Sequence, residues 1–324
     1  MHAKQLFTWQ FIHDSLLRNA GVMLLYVLKS KSSSPGRQGF FMAVNEEGKM
    51  MGSIGGGIME HKFIELAKSK LKEATAEASI HHQLHDKVAA KNQSGMICSG
   101  EQTLFLYTIQ SKDIYPISNL IQSLQNDHNG TLQLSPGGIY FSSDIPATDF
   151  SLEMQQEYDF LYREKTGFPN HLYIIGGGHC ALALSRLMSN MDFYTCVVDD
   201  RKDLNTLEQN QYAHRVTILD DYNELSTLIQ PGNNCYIVVM TTGYRTDEIA
   251  LRALLEKEFG YLGILGSKSK INKMFTSLIE DGVPAQLLEK VHAPIGIQIK
   301  SQTPEEIAVS IAAEIISVKN KEKD

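Results

Sequence analysis

The sequence predicts an α/β protein: a C-terminal Rossmann-like, doubly wound parallel sheet with a smaller mixed α+β N-terminal domain. Three observations carry that expectation. First, the apolar run 172–175 ends in Gly176-Gly177-Gly178, and a helical pattern begins at once. Gly176, Gly178 and Ala181 fit the G-x-G-x-x-[G/A] spacing of a strand–turn–helix dinucleotide fingerprint. Second, the apolar run Phe193 to Val198 ends in Asp199, roughly 20 residues past the glycines, where a Rossmann unit places the carboxylate for a ribose hydroxyl. Third, strands and helices alternate after residue 170. Strands are expected at 172–175, 193–198, 215–219, 235–240 and 261–265, and helices at 179–190, 222–229, 245–258 and 268–281. Nearly continuous apolar strands such as Tyr236-Ile237-Val238-Val239-Met240 suit a parallel sheet covered on both faces.

A chain of 324 residues is long for one domain. The expected division is an N-terminal domain over 1–150, a connection over 151–169 and the Rossmann-like domain over 170–324. A hydrophobic fraction of 43% and a charged fraction of 21% describe an ordinary globular protein. The net charge of −7 argues against nucleic-acid binding, which usually needs a basic face. No apolar stretch approaches the roughly 18 residues of a membrane span. The start, MHAKQLFTWQ, has no apolar signal region. Cys98, Cys180, Cys196 and Cys235 form no C-x-x-C pair, which reads as cytoplasmic usage rather than a disulfide framework.

Residues 4–19 read as a helix and Val22 to Leu28 as a buried strand. Lys31 to Arg37 form a polar loop. Phe40 to Val44 and Lys49 to Ile54 flank Asn45-Glu46-Glu47-Gly48, a hairpin turn with glycine in the left-handed position. Gly55-Gly56-Gly57 follow, then a helix from about Ile58 to Ala78 whose stripe Ile64, Ala67, Leu71, Ala74, Ala78 steps by three and four. Three glycines before a helix let the backbone approach an anion, and the free N–H groups of the first turn can bind it. Glu60 in that turn suits the helix dipole. An ordinary tight turn is the equal alternative.

Ser79 to Val88 is ambiguous. A helix there would put His81 and His85 on one face, but no ligand spacing is completed, although Asp86 is adjacent; a solvent-facing strand or turn is favoured. Gly95 to Glu101 is a small-residue loop leading into a strand, Thr103 to Ile109. Cys98 in that loop is the one cysteine outside a predicted core element. Residues 112–126 read as a helix, Thr131 to Leu134 and Ile139 to Phe141 as short strands, and Glu153 to Tyr162 as a short helix.

In the second half, ligands of such sheets sit beyond the carboxyl ends of the strands. Thr241 to Asp247, with Thr242, Tyr244 and Arg245, follows the fourth strand. Gly266-Ser267-Lys268 follows the fifth, at a helix start suited to an anion. Arg201 either accepts a 2′-phosphate or pairs with Asp199 or Asp200, and the pair is favoured. At the last helix Thr303 caps, Pro304 takes the first helical position and Glu306 closes a capping box.

Taken together, these motifs resemble the XdhC/CoxI family of molybdoenzyme maturation factors. The resemblance rests on Gly52-Ser53-Ile54-Gly55-Gly56-Gly57 with Glu60, Gly176-Gly177-Gly178-His179, Gly263 to Lys270, Ala293-Pro294-Ile295-Gly296, and Thr303 to Ile316. It covers residues ~20–110 and ~170–316 in the same order. Two departures are visible: Cys98-Ser99-Gly100 where the family commonly reads Cys-Gly-Gly, and Pro35-Gly36-Arg37 where it often has Pro-Arg.

The resemblance implies a protein that binds the sulfurated molybdenum cofactor, a phosphorylated pterin, and delivers it to a xanthine- or carbon-monoxide-dehydrogenase-type hydroxylase. It implies a carrier more than a catalyst, a homodimer, and a cysteine desulfurase as the partner supplying sulfur. The candidate cofactor-binding set is Gly55, Gly56, Gly57, Glu60, Cys98, Gly176, Gly177, Gly178, His179, Asp199, Arg201, Thr242, Gly266, Ser267 and Lys268, with Lys268 or Arg37 adding charge for a phosphate. Cys98 is the candidate contact to molybdenum or its sulfur. The alternative is an NAD(P)-dependent oxidoreductase or a dinucleotide-sensing protein, which the fingerprint and Asp199 support but which has no convincing acid–base set.

Overall fold

The structure, a computed structural model, describes residues 2–31, 34–73, 78–84, 100–156, 159–191 and 193–321. The chain divides into two compact units, Met1–Gly167 and Phe168–Asp324.

In the first unit, helix α1 (His2–Leu17) leads into β1 (Val22–Lys31), β2 (Phe41–Asn45), β3 (Met50–Gly52), helix α2 (Gly57–Lys72), β4 (Ser79–Leu84) and β5 (Glu101–Thr108). These strands form an antiparallel sheet ordered β3-β2-β1-β5-β4. Helix α3 (Ile114–Gln125) follows, then β6 (Gly130–Ser135), β7 (Gly138–Ser142), β8 (Phe150–Gln156) and β9 (Asp159–Thr166), in a second sheet ordered β7-β6-β9-β8.

The central strand β1 shows why this unit needs two layers of cover. Successive side chains point to opposite faces, and here both faces are apolar. Met23, Leu25 and Val27 pack with Met59, Phe63 and Ile64 of α2. Leu24, Tyr26 and Leu28 pack with Trp9 and Ile12 of α1, Ile117 and Leu120 of α3, and Leu132 and Tyr162 of the second sheet. The β2–β3 turn forms as expected: Gly48 has φ +79 and its N–H bonds to Asn45 O at 2.9 Å.

Two expectations are corrected. Helix α2 ends at Lys72, short of Ala78, and the helix expected at 153–162 is instead the β8–β9 hairpin. Good helix formers such as Glu153, Met154 and Gln155 suggest a helix locally, but Phe160, Tyr162 and Glu164 bury alternate positions of β9, and pairing with β6 decides. The same hairpin fills most of the stretch 151–169, so those residues are sheet rather than a connection.

The second unit runs β10 (Asn170–Ile175), α4 (His179–Met188), β11 (Phe193–Asp199), α5 (Asn205–Glu208), β12 (Arg215–Ile218), α6 (Leu225–Leu228), β13 (Gly232–Val239), α7 (Tyr244–Arg252), β14 (Phe259–Ile264), α8 (Lys268–Glu280), α9 (Ala285–Glu289) and α10 (Pro304–Lys321). Its five strands are parallel, ordered β12-β11-β10-β13-β14, with the order reversing between β10 and β13. Alternation again divides the core. Leu172, Ile174, Val197, Tyr236 and Val238 face α4 and α10, whereas Ile175, Val198, Ile237, Val239 and Ile264 face α7 and α8. This is the doubly wound α/β sheet expected from the strand–helix alternation, and the first unit is α+β as expected. Among the described residues, no helix is long and apolar enough to cross a membrane.

Candidate functional site

The glycine turn after β10 is built around main-chain contacts. Gly176 has φ +108, and a Cβ there would fall 2.4 Å from Met240 O on the neighbouring strand. At Gly177 a Cβ would collide with Leu207 Cδ2 at 2.5 Å. Gly178 is different: it caps α4 with no side-chain hydrogen bond, and a Cβ there meets nothing within 4 Å. The first two glycines are needed for packing; the third leaves an open approach to the helix N-terminus.

Asp199 comes to this turn from β11, as the spacing predicts, but its carboxylate is already filled. Oδ2 accepts from Gly177 N at 2.6 Å and from Arg201 NH2 at 2.8 Å; Oδ1 accepts from Arg201 N at 2.9 Å and Arg201 Nε at 2.8 Å. The side chain is fully buried. Burial pushes the Asp199 carboxyl up, but the Arg201 guanidinium and the Gly177 and Arg201 N–H groups outweigh it and hold it below the ordinary value. Arg201 is accordingly held more firmly charged by Asp199. The pair forms here, as favoured from the sequence.

The next loop along the carboxyl edge is held by a residue that the sequence pattern does not single out. Asp247, fully buried in α7, accepts from Thr241 N at 2.9 Å and Thr241 Oγ1 at 2.6 Å, and its other oxygen pairs with Lys270 of α8. One carboxylate thus ties the ends of β13, α7 and α8 together. Thr242 and Arg245 are exposed beside this knot, and Tyr244 lies under Lys273. Removing the cation leaves a buried charge with weaker compensation. Lys270→Met is expected to lower the stability of this unit by about 2 kcal/mol, discounted because Lys270 is partly exposed. Urea unfolding of the variant beside the wild type measures it.

Ser267 caps α8, its Oγ accepting from Lys270 N at 3.2 Å, with Gly266 before it and Lys268 exposed at the first helical position. His179 opens α4 and lines a groove of about 560 Å³ with Arg186, Tyr212 and Glu305.

In the first unit, the second glycine loop does cradle an anion, but the chain supplies it. Glu60 Oε2 accepts from Ser53 Oγ at 2.7 Å, Ile54 N at 2.9 Å and Gly56 N at 3.0 Å. Gly55, at φ +126, packs on Gly36, where a Cβ would sit 2.0 Å from Ile54 O. Gln102 Nε2 donates to Gly36 O at 2.7 Å, and Gly100 lies against Ser34. The loops that carry Arg37, Gly55–Gly57 and Gly100 therefore meet. Cys98, His85 and Asp86 lie outside the described residues. His81 is on strand β4, its ring 5.4 Å from that of Phe63, which removes the helical His pair. Among the described residues no group of three His, Cys, Asp or Glu side chains is placed to hold a metal. Burial pushes the Cys180, Cys196 and Cys235 thiols up, away from a reactive thiolate.

A parallel sheet with a glycine turn at its strand-order reversal defines a Rossmann-type domain. Family comparison narrows this. The XdhC Rossmann domain matches residues 172–315, and the XdhC and CoxI family matches residues 16–82. The chain belongs to the XdhC and CoxI family. Among curated proteins, the uncharacterized protein YqeB of Escherichia coli (strain K12) is 24% identical over 315 residues, covering 94% of this chain and 44% of that protein. A probable xanthine dehydrogenase subunit from Bacillus subtilis (strain 168) is 31% identical over 150 residues, covering 46% of this chain and 43% of that protein. The chain thus spans less than half the length of these relatives. A crystal structure described as a xanthine dehydrogenase from Bacillus halodurans matches with TM-score 0.71 and 21% identity, over 97% of this chain and 96% of that one. At that identity the likeness establishes the shared fold.

Proposed function

We propose that the chain is an accessory protein of a xanthine-dehydrogenase-type molybdenum hydroxylase, holding the molybdenum cofactor as cargo and passing it to that client. Family membership and the name of the Bacillus subtilis relative support the accessory role. The observation that carries the cargo reading is the open turn at Gly178. The N–H groups of the first turn of α4 have neither a capping side chain nor a Cβ in front of them. A phosphate has room to meet them there, with the helix dipole favouring its charge. The pterin's molybdenum and sulfur would supply the client's chemistry; the residues of this chain bind and orient. A cysteine desulfurase as the sulfur source, and a second copy of the chain, are the partners this reading entails.

The nicotinamide alternative is weakened at Asp199. A carboxylate offers about four lone-pair sites, and Asp199 already accepts four hydrogen bonds.

The test is co-elution. Purified protein mixed with molybdenum cofactor is expected to retain it through gel filtration, and Gly178→Leu is expected to retain at least tenfold less. Because Gly178 has ordinary negative φ and open space around it, that variant should unfold within about 0.5 kcal/mol of wild type. No retention by the wild type, or equal retention by the variant, overturns the reading.

A further inference from the structure

At the edge strand β14 the chain builds a second concavity, away from the glycine turn. The segment His292–Gly296 runs beside β14: His292 N bonds to Leu262 O, Ile264 N to His292 O, and Ile295 N to Ile264 O. Helix α10 fixes its other side. Glu314 accepts from Gly296 N at 2.8 Å and from Tyr261 OH at 2.5 Å, and Ser310 Oγ donates to Ile297 O at 2.6 Å. Gly296 has φ +92, and a Cβ there would strike Ser310 Oγ at 2.3 Å. The backbone up to Ile297 is therefore pinned.

Two large apolar side chains are exposed here: Ile297, at the end of the pinned strap, is 44% exposed, and Ile299, two residues beyond it, is 45% exposed. They line a pocket of about 370 Å³ with Leu265, Ile307, Lys268 and Lys300. Neither lysine has a carboxylate partner within ion-pair distance among the described residues, whereas Lys270 nearby is consumed by Asp247. Of the two acids on α10's first turn, Glu306 accepts from Gln302 N and Glu305 lines the groove at His179. Exposed apolar side chains and two lysines lining one concavity are complementary to a ligand with a flat apolar ring at one end and an anion at the other.

We propose that this pocket is a binding subsite for a phosphorylated heteroaromatic ring, the ring lying on Ile297 and Ile299 and the phosphate between Lys268 and Lys300. The pocket is separate from the turn at Gly178, where the cargo reading seats its phosphate, so this subsite goes beyond that reading and takes a second phosphorylated ring. It can be tested apart from that reading with GMP as the probe, guanosine and inorganic phosphate as controls, and titration calorimetry on the full chain. GMP is expected to bind at least tenfold more tightly than guanosine or phosphate alone. Lys300→Ala should weaken GMP at least fivefold and leave guanosine unchanged, and Ile297→Ser should weaken both. Both residues are exposed and hold no structural hydrogen bond through their side chains, so folding should be retained, checked by circular dichroism. Absence of GMP binding, or GMP affinity indifferent to both substitutions, overturns the subsite. Loss of GMP in Gly178→Leu with none in Lys300→Ala also overturns it, because it assigns the probe to the glycine turn. Failure of the wild type to retain molybdenum cofactor, with GMP binding intact and sensitive to Lys300, removes the cargo reading and keeps the subsite.

Discussion

Gly176→Ala is expected to destabilise the second unit by about 3 kcal/mol or more, while Gly178→Ala changes it by no more than about 0.5 kcal/mol. The two glycines lie two positions apart in one turn, so composition and propensity are matched. Gly176 sits at φ +108, where an L side chain is strained. Its Cβ would fall 2.4 Å from Met240 O and 2.9 Å from Thr241 Cα. Those are backbone atoms at the end of β13, itself locked between β10 and β14, so nothing yields cheaply. Gly178 has φ −73 and empty space in front of it. Hydrogen exchange of amides in β10 and β13 reads the difference directly. Equal protection in the two variants would mean that the turn relaxes in ways this geometry does not contain.

Raising the pH from 5 to 8 is expected to remove about 2.5 kcal/mol of stability from the first unit. The cause is Glu164, buried to 4% exposure on β9. Burial raises its carboxyl to about 7, although hydrogen bonds from Tyr26 OH at 2.5 Å and Tyr162 OH at 2.7 Å pull the other way. Asp149 adds a smaller push upward. The folded pKa lies above the ordinary 4.5, so between those values the native chain holds a proton that the unfolded chain has released. Stability is then full below about 4.5 and falls as pH rises through 7, by about 1.4 kcal/mol per unit of difference. Trp9 is the sole tryptophan and is buried in the same core as Tyr26 and Tyr162. Its fluorescence during urea unfolding therefore reports this unit. Glu164→Gln, which stays neutral, should flatten the slope. A slope unchanged by that substitution would assign the pH dependence to other groups.

The glycine turn and the buried glutamate differ in how far the sequence announces them. The turn is visible because its constraint is local: a strand, three glycines and a helix are contiguous, and Asp199 lies at the spacing a βαβ unit fixes. The nearly continuous apolar strands of the second unit are legible for the same reason, as is the Thr303–Glu306 capping box, where Glu306 N donates to Thr303 Oγ1 at 3.2 Å. Glu164 is invisible because its pocket is assembled from Tyr26, 138 positions earlier, and Tyr162 on its own strand. Nothing in the local pattern separates it from a solvated glutamate. The helix expected at 153–162 fails for the same reason, since pairing with β6 is a long-range event. Asp247 and Lys270 likewise meet only through the packing of α7 and α8. At Asp199 the spacing correctly finds the residue, but the presence of Arg201 two positions on decides what its oxygens are doing.

The Glu60 arrangement has a consequence for how the first glycine loop can respond to its surroundings. An external anion reaching that loop would meet an intramolecular competitor tethered to the same helix, at an effective concentration set by the sequence separation of four between Gly56 and Glu60. Its measured affinity would be reduced by the fraction of molecules in which the carboxylate has swung out. Such a loop discriminates by exchange: weak anions leave Glu60 in place, and only a ligand making further contacts elsewhere can displace it.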